Sequence, residues 1–181
     1  VARYGDDASL AAAIALAAAD ATGSAPRADA ILVPDRPEAL VRILPALAQA
    51  GVSPEVRLLG SGWWNDPSVH ALPAAQGAWY PGTDPAARAA FAGKYAKRFG
   101  APPPPIASLS YDATSLAAAL ARIGGEEVFT DQVLTNADGF AGVDGLFRFR
   151  PDGTNERGLA VLEISGGTVV VRDPAPTAFG G

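Results

Sequence analysis

The chain has 181 residues, 49% of them apolar and 18% charged, with a formal net charge of −5. That length serves one domain or two small lobes with a sizeable core. No segment is basic and no aromatics alternate with Lys or Arg, which excludes a nucleic-acid surface. The absence of cysteine removes disulfides, thiolate catalysis and thiolate metal sites together, and suits an oxidising compartment.

There is no methionine, not even at position 1, so the chain is expected to be a processed or trimmed piece. No apolar run reaches the roughly 18 residues that span a membrane.

In chain order, "VARY" reads as a strand and Asp7 to Ala21 as a helix carrying Leu10, Ile14 and Ala17 on one stripe, stopped by Gly23. "ADAILV" (28–33) is apolar but for Asp29, as a parallel strand covered on both faces would be. In "PDRPE", Asp35 is a candidate N-cap with Glu38 completing a capping box and Pro37 in the first turn. That helix is expected to reach Ala50 and stop at Gly51. "VRLLG" (56–60) and "GAWY" (77–80) are the next strands. Asp84 and Pro85 then open a helix through Phe99, ended by Gly100.

"APPPP" (101–105) is a stiff extended joint and the clearest candidate boundary. Beyond it, Ile106, Leu109, Ala113, Leu116, Leu120 and Ile123 form one helical stripe, closed by Gly124-Gly125. A short helix is expected from Thr130 to Leu134. The rest reads as β-hairpins: "GLFRFR", a Pro-Asp-Gly turn, "GLAVLEI", a Ser-Gly-Gly turn, then "TVVV". In "FRFR" the phenylalanines take one face and the arginines the other. The fold class is α/β, a parallel sheet flanked by helices, with C-terminal β-hairpins.

Little in the chain supports catalysis. His70, the one histidine, reads as a surface or capping residue. Ser61 sits in Gly-Ser-Gly, which is not a nucleophile elbow. One histidine is poor supply for zinc, and no phosphate-binding glycine loop is present. "FRPDGTNE" reads as a hairpin turn rather than a calcium loop. Asp6-Asp7 and Glu126-Glu127 read as capping or solvated pairs. We expect no enzyme, metal or cofactor.

Ligands of open parallel sheets sit beyond the carboxyl ends of the strands. Here those ends carry Tyr4-Gly5-Asp6, Pro34, Asp35 and Arg36, then Gly60 to Asn65 with Ser61, Trp63 and Trp64, then Tyr80 and Pro81. If residues 63–64 are extended, neighbouring side chains point opposite ways, so one tryptophan faces the site and the other packs inward.

The ordered pieces "ADAILVPD", "LLGSGWWND", "GAWYPGTDP", "SLSYDATSLAAAL" and "GFAGVDGLFRFRPDG" resemble the later part of type I periplasmic binding proteins. These are the Leu/Ile/Val-binding, extracellular ligand-binding receptors, and the resemblance is nearest to their penicillin-binding-protein-activator branch of envelope lipoproteins. It implies two α/β lobes holding a small ligand, amino acid or peptide-like, without catalysis, in the periplasm. Residues 1–100 would belong to the second lobe, 101–155 to the first, and 156–181 to a return into the second lobe and a tail. Pro34, Asp35, Arg36, Ser61, Trp63, Trp64 and Tyr80 would contact ligand, with Tyr111 near the hinge. The activator branch instead implies a cell-wall synthase as partner and a lipid anchor upstream of Val1. Relatives are about twice as long, so the chain is expected to be truncated. Its apolar stripe from Ile106 to Ile123, and Phe147 with Phe149, are expected to collapse onto the second lobe or to pair two copies as a homodimer.

Overall fold

The computed structural model describes residues 3–104, 106–124 and 128–179. The chain folds as two units: Val1–Gly82 with Val161–Arg172 (unit 1), and Thr83–Ala160 with Asp173–Gly181 (unit 2). It crosses between them after Gly82, Ala160 and Arg172. The sequence placed its boundary at the prolines of 101–105, which fall within unit 2.

In unit 1, α1 (Asp7–Ala18), β1 (Ala30–Val33), α2 (Pro37–Gln49), β2 (Arg57–Gly60), α3 (Pro67–His70) and β3 (Trp79–Gly82) follow in order. β7 (Ala160–Ser165) and β8 (Thr168–Asp173) complete a sheet ordered β1-β2-β3-β7-β8. β1 and β2 pair in parallel from Ala30↔Arg57 to Val33↔Gly60, and β2 and β3 in parallel at Leu59↔Trp79. β7 and β8 are joined by Gly166-Gly167, both at positive φ, which glycine adopts without strain. The sheet is therefore mixed, with parallel strands at one side and a hairpin at the other.

One sheet face is the core. Val33, Tyr80, Leu162 and Ile164 are buried, as are Leu40, Ile43, Leu44 and Leu47 of α2 and Val69 of α3. The expectation of a strand covered on both faces fails at β1, where Leu32 is 62% exposed. A continuous apolar run shows that a strand is buried somewhere, not that helices cover both sides. Of the "VARY" strand, Val1 and Ala2 lie outside the described residues, and Arg3 and Tyr4 are not in a strand. α1 is capped by Asp6, which accepts from the Ser9 backbone at 2.8 Å, and it ends earlier than expected, at Ala18.

Unit 2 holds α4 (Pro85–Phe99), α5 (Ala107–Ile123), α6 (Asp131–Leu134) and a sheet of β4 (Phe140–Gly142), β5 (Gly145–Phe149) and β6 (Asn155–Arg157). α4 has the expected ends: Asp84 accepts from the Ala86 backbone at 2.7 Å, and Gly100 closes the helix at φ 74°. The Pro-Asp-Gly turn joins β5 to β6 in an antiparallel pair. "GLAVLEI" supplies β7 of the unit 1 sheet, separate from the sheet of "GLFRFR". Phe140, Phe147 and Phe149 form their own aromatic cluster, ring centres 5.7–6.5 Å apart.

α5 has the expected extent, and of its expected stripe Leu120 is buried and Leu116 half-buried. Ile106 and Ile123 are 66% and 76% exposed, while Ser108 and Asp112 are buried. The cause is a polar layer. Asp112 accepts from the Val143 backbone at 2.7 Å and lies 3.4 Å from Arg157. Asp144 accepts from Thr83 Oγ1 at 2.9 Å and Ser108 Oγ at 2.6 Å, with Arg88 3.9 Å away. Buried carboxylates need such partners, so they set the rotation of the helix. Gly142 is required beside them, because a Cβ there would overlap the Asp112 carboxylate. The Glu126-Glu127 pair lies outside the described residues.

Replacing Asp144 with Ala should destabilise unit 2 by about 2–3 kcal/mol, since two hydroxyl donors lose a charged acceptor. Urea unfolding followed by circular dichroism checks this, with Asp144→Asn expected to lose less.

Candidate strand-end binding site

Parallel register brings Val33 beside Gly60, so the loops after β1 and β2 leave the sheet side by side. The second loop does not stay extended. Residues Gly62–Trp64 make a 3₁₀ turn, which rotates successive side chains by about 120°. Trp64 turns into the core at 0% exposure, and its Nε1 donates to the Val33 carbonyl at 2.8 Å. Its ring lies against Gly60, where a Cβ would overlap the ring carbons. Trp63 turns outward, 56% exposed, with the Arg36 guanidinium 5.2 Å from its ring centre. One tryptophan in and one out was the sequence expectation, but a helical turn produces it, not an extended chain.

Asp35 is not the N-cap of α2. That position is Arg36, which makes no side-chain cap. The Asp35 carboxylate instead accepts from the Tyr4 hydroxyl at 2.6 Å and from the Arg36 backbone at 3.1 Å. Burial, together with the hydrogen bond and charge of Asp35, pushes the Tyr4 phenol up to about 12, so it stays a donor at neutral pH. Tyr4, Asp35 and Pro34 line a groove of about 110 Å³ together with Leu10, Ile14 and Leu32. Pro34 is exposed at its mouth.

Beneath the loops His70 and Tyr80 are buried, with exposed Asn65 at their edge. The Tyr80 hydroxyl lies 3.1 Å from His70 Nε2 and 3.3 Å from Asn65 Oδ1, with the His70 and Tyr80 rings stacked at 6.0 Å. Tyr80 is 1% exposed, and burial pushes its phenol up to about 12. His70 is buried too, correcting its reading as a surface or capping residue. No sequence signal marks it, since its partner arrives from another strand. Ser61 Oγ is buried and has no hydrogen-bond partner among the described residues.

Of the residues picked from sequence, Pro34, Asp35, Arg36, Ser61, Trp63, Trp64 and Tyr80 all belong to unit 1. Arg36 and Trp63 are exposed, whereas Trp64 and Tyr80 form the floor. Tyr111 belongs to α5 of unit 2, half exposed, its ring 5.3 Å from Phe91. Among the described residues, no group of three His, Asp or Glu side chains could hold a metal ion.

An α/β unit with parallel strands that end in polar and aromatic loops, linked to a second unit by three chain crossings, fits a binding protein of two parts. The family model described as "Periplasmic binding protein" matches residues 3–168, and the chain belongs to that family. No curated protein matches it. Among solved structures it is similar to a protein from Rhodospirillum rubrum described as a branched-chain amino acid ABC transporter. That likeness has 26% identity and a TM-score of 0.66, over 79% of this chain and 44% of that one. It is similar in fold to a solute binding protein from R. palustris in complex with benzoate (21% identity, TM-score 0.56, 94% of this chain and 47% of the other). The same holds for full-length LpoA from Haemophilus influenzae (14% identity, TM-score 0.56, 94% and 30%). The chain thus spans less than half the length of these structures.

The two tryptophans should respond oppositely to truncation. Trp64→Ala should cost about 3–5 kcal/mol of stability, and Trp63→Ala no more than about 0.5 kcal/mol. Denaturant unfolding of both variants measures the contrast.

His70 gives a pH signature. Burial holds its imidazole below the ordinary histidine range, against the opposing pull of a hydrogen bond to the Trp64 backbone and of the Asp66 charge. The unfolded chain therefore binds a proton near pH 6.5 that the native chain refuses, so stability falls as pH drops below about 6.5. Urea midpoints at pH 5.5 and 7.5 should differ in the native chain and converge in His70→Gln. Equal midpoints in the native chain would exclude a buried neutral imidazole.

Proposed function

We propose that this chain is part of a non-catalytic periplasmic solute-binding receptor whose strand-end loops in unit 1 contact a small ligand. One observation carries the reading: an exposed indole, Trp63, is held under the Arg36 guanidinium at the carboxyl ends of two parallel strands. Trp64, Tyr80 and His70 are buried beneath it, Trp64 hydrogen-bonded to Val33 and Tyr80 to His70. An apolar surface with a fixed cation beside it is the composition of a small-molecule subsite. On this reading unit 1 carries second-lobe material and unit 2 includes first-lobe material, and the ligand is an amino acid, a peptide-like molecule or a related small solute.

A second reading is an envelope lipoprotein that activates a cell-wall synthase by protein contact. The exposed apolar row of Ile106, Leu109 and Ile123 on α5 favours it, because such rows mark contact surfaces.

Screening amino acids, short peptides and cell-wall fragments against the full-length protein, by tryptophan fluorescence and calorimetry, tests the first reading. A true ligand should shift the emission, and Trp63→Ala should weaken binding about tenfold without unfolding the chain. Undiminished affinity in the Trp63→Ala, Arg36→Ala double variant would place the ligand elsewhere.

A further inference from the structure

We propose that the C-terminal half of α4, in unit 2, is a docking surface for an anionic lipid bilayer, with Lys94, Lys97 and Arg98 on the headgroups and Phe99 in the interface. This surface belongs to the other unit and does not depend on the ligand-binding reading above.

Positive charge is concentrated here, against the composition of the whole chain. Lys94 and Lys97 are the chain's only lysines, and Arg98 follows directly, in a sequence of formal net charge −5. From Pro85 to Phe99 there is no acidic residue. All three cations are exposed, and none forms an ion pair among the described residues. Arg88, the other cation of the helix, lies 3.9 Å from the buried Asp144 carboxylate. Attraction to the negative end of the helix accounts for Lys97 and Arg98 in the last turn, but not for Lys94. Charges elsewhere on the acidic chain are screened beyond about 10 Å, so the local cations decide what approaches.

The apolar part lies alongside. On a helix, Lys94, Lys97 and Arg98 occupy an arc of about 100°, and Phe91, Tyr95 and Phe99 take the adjoining arc. The rings form a row. Phe99 and Tyr95 are 4.5 Å apart between centres, Tyr95 and Phe91 6.0 Å, and Phe91 and Tyr111 of α5 5.3 Å. Phe91 is buried, but both ends of the row are open: Phe99 is 62% exposed and Tyr111 49%. The Arg98 guanidinium lies 5.5 Å from the Phe99 ring centre. Aromatic rings edged by Lys and Arg on one helix have the composition of an element that lies in a membrane interface.

Charge and shape select the occupant. Lys and Arg are almost never fully buried without partners, so three on one arc oppose the covering of this face by an apolar core. What meets it must be anionic and wet. An acidic peptide is held in a groove or along a strand edge, whereas these groups project from the convex side of a helix. A bilayer conforms to such a patch, offering phosphates to the cations and apolar depth to Phe99.

The test is flotation of the full-length protein with vesicles. One set holds equal parts of phosphatidylglycerol and phosphatidylcholine, the other phosphatidylcholine alone. The protein should partition more strongly onto the anionic set, and high salt should remove the difference. Each cation near such a surface contributes about fivefold. The triple variant Lys94→Gln, Lys97→Gln, Arg98→Gln should therefore partition about a hundredfold less. Phe99→Ser should weaken partition about fivefold at unchanged charge. Arg27→Gln, which removes one exposed cation from unit 1, should change nothing, and circular dichroism should show every variant folded. Equal partition onto both vesicle sets, or none onto the anionic set, overturns the proposal, as does a triple variant that partitions like the native chain. Phe99→Ser without effect overturns the bilayer as partner, and soluble polyglutamate binding the native chain would then assign the patch to an acidic protein.

Discussion

The Trp64 indole donates to the Val33 carbonyl while fully buried, and this contact orders the strand-end loops of unit 1. Indole nitrogen cannot be left unpaired in a core, so the bond ties the end of β2 to the end of β1. It needs glycine at position 60, because no other residue leaves room for the ring. With Trp64 inward, the 3₁₀ turn must send Trp63 outward. Arg36, just past the end of β1, then lies over the exposed ring. One buried aromatic thus sets the placement of the exposed aromatic and the exposed cation together.

Unit 2 is ordered by charge. Asp112 and Asp144 are buried with backbone, hydroxyl and arginine partners. These contacts share the inward side of α5 with Leu120, while Ile106, Leu109 and Ile123 stay exposed. Satisfying a buried carboxylate outweighs burying one more leucine, since a carboxylate without partners costs more than an exposed side chain forfeits. The exposed row on α5 is the consequence.

The two units use polar groups differently. In unit 1 the buried side chains of Tyr80 and His70, with exposed Asn65 at their edge, lie under the strand-end loops. In unit 2 the polar layer is internal and leaves an apolar surface outside.

Local chemistry was legible in the sequence. Asp84, Pro85 and Gly100 bound α4 because caps and left-handed glycines act within one turn of chain. The α/β class, the strand-end loops and the presence of a helix over 107–123 follow from periodicity and punctuation in the same way. What sequence could not decide was anything set by a distant partner. Asp35 looked like a cap until Tyr4, thirty-one positions away, took its carboxylate. His70 looked exposed until Tyr80 of a neighbouring strand covered it. Hydrogen bonds within a turn are written in adjacent residues. Burial and pairing depend on which segments meet, and only the tertiary structure determines that.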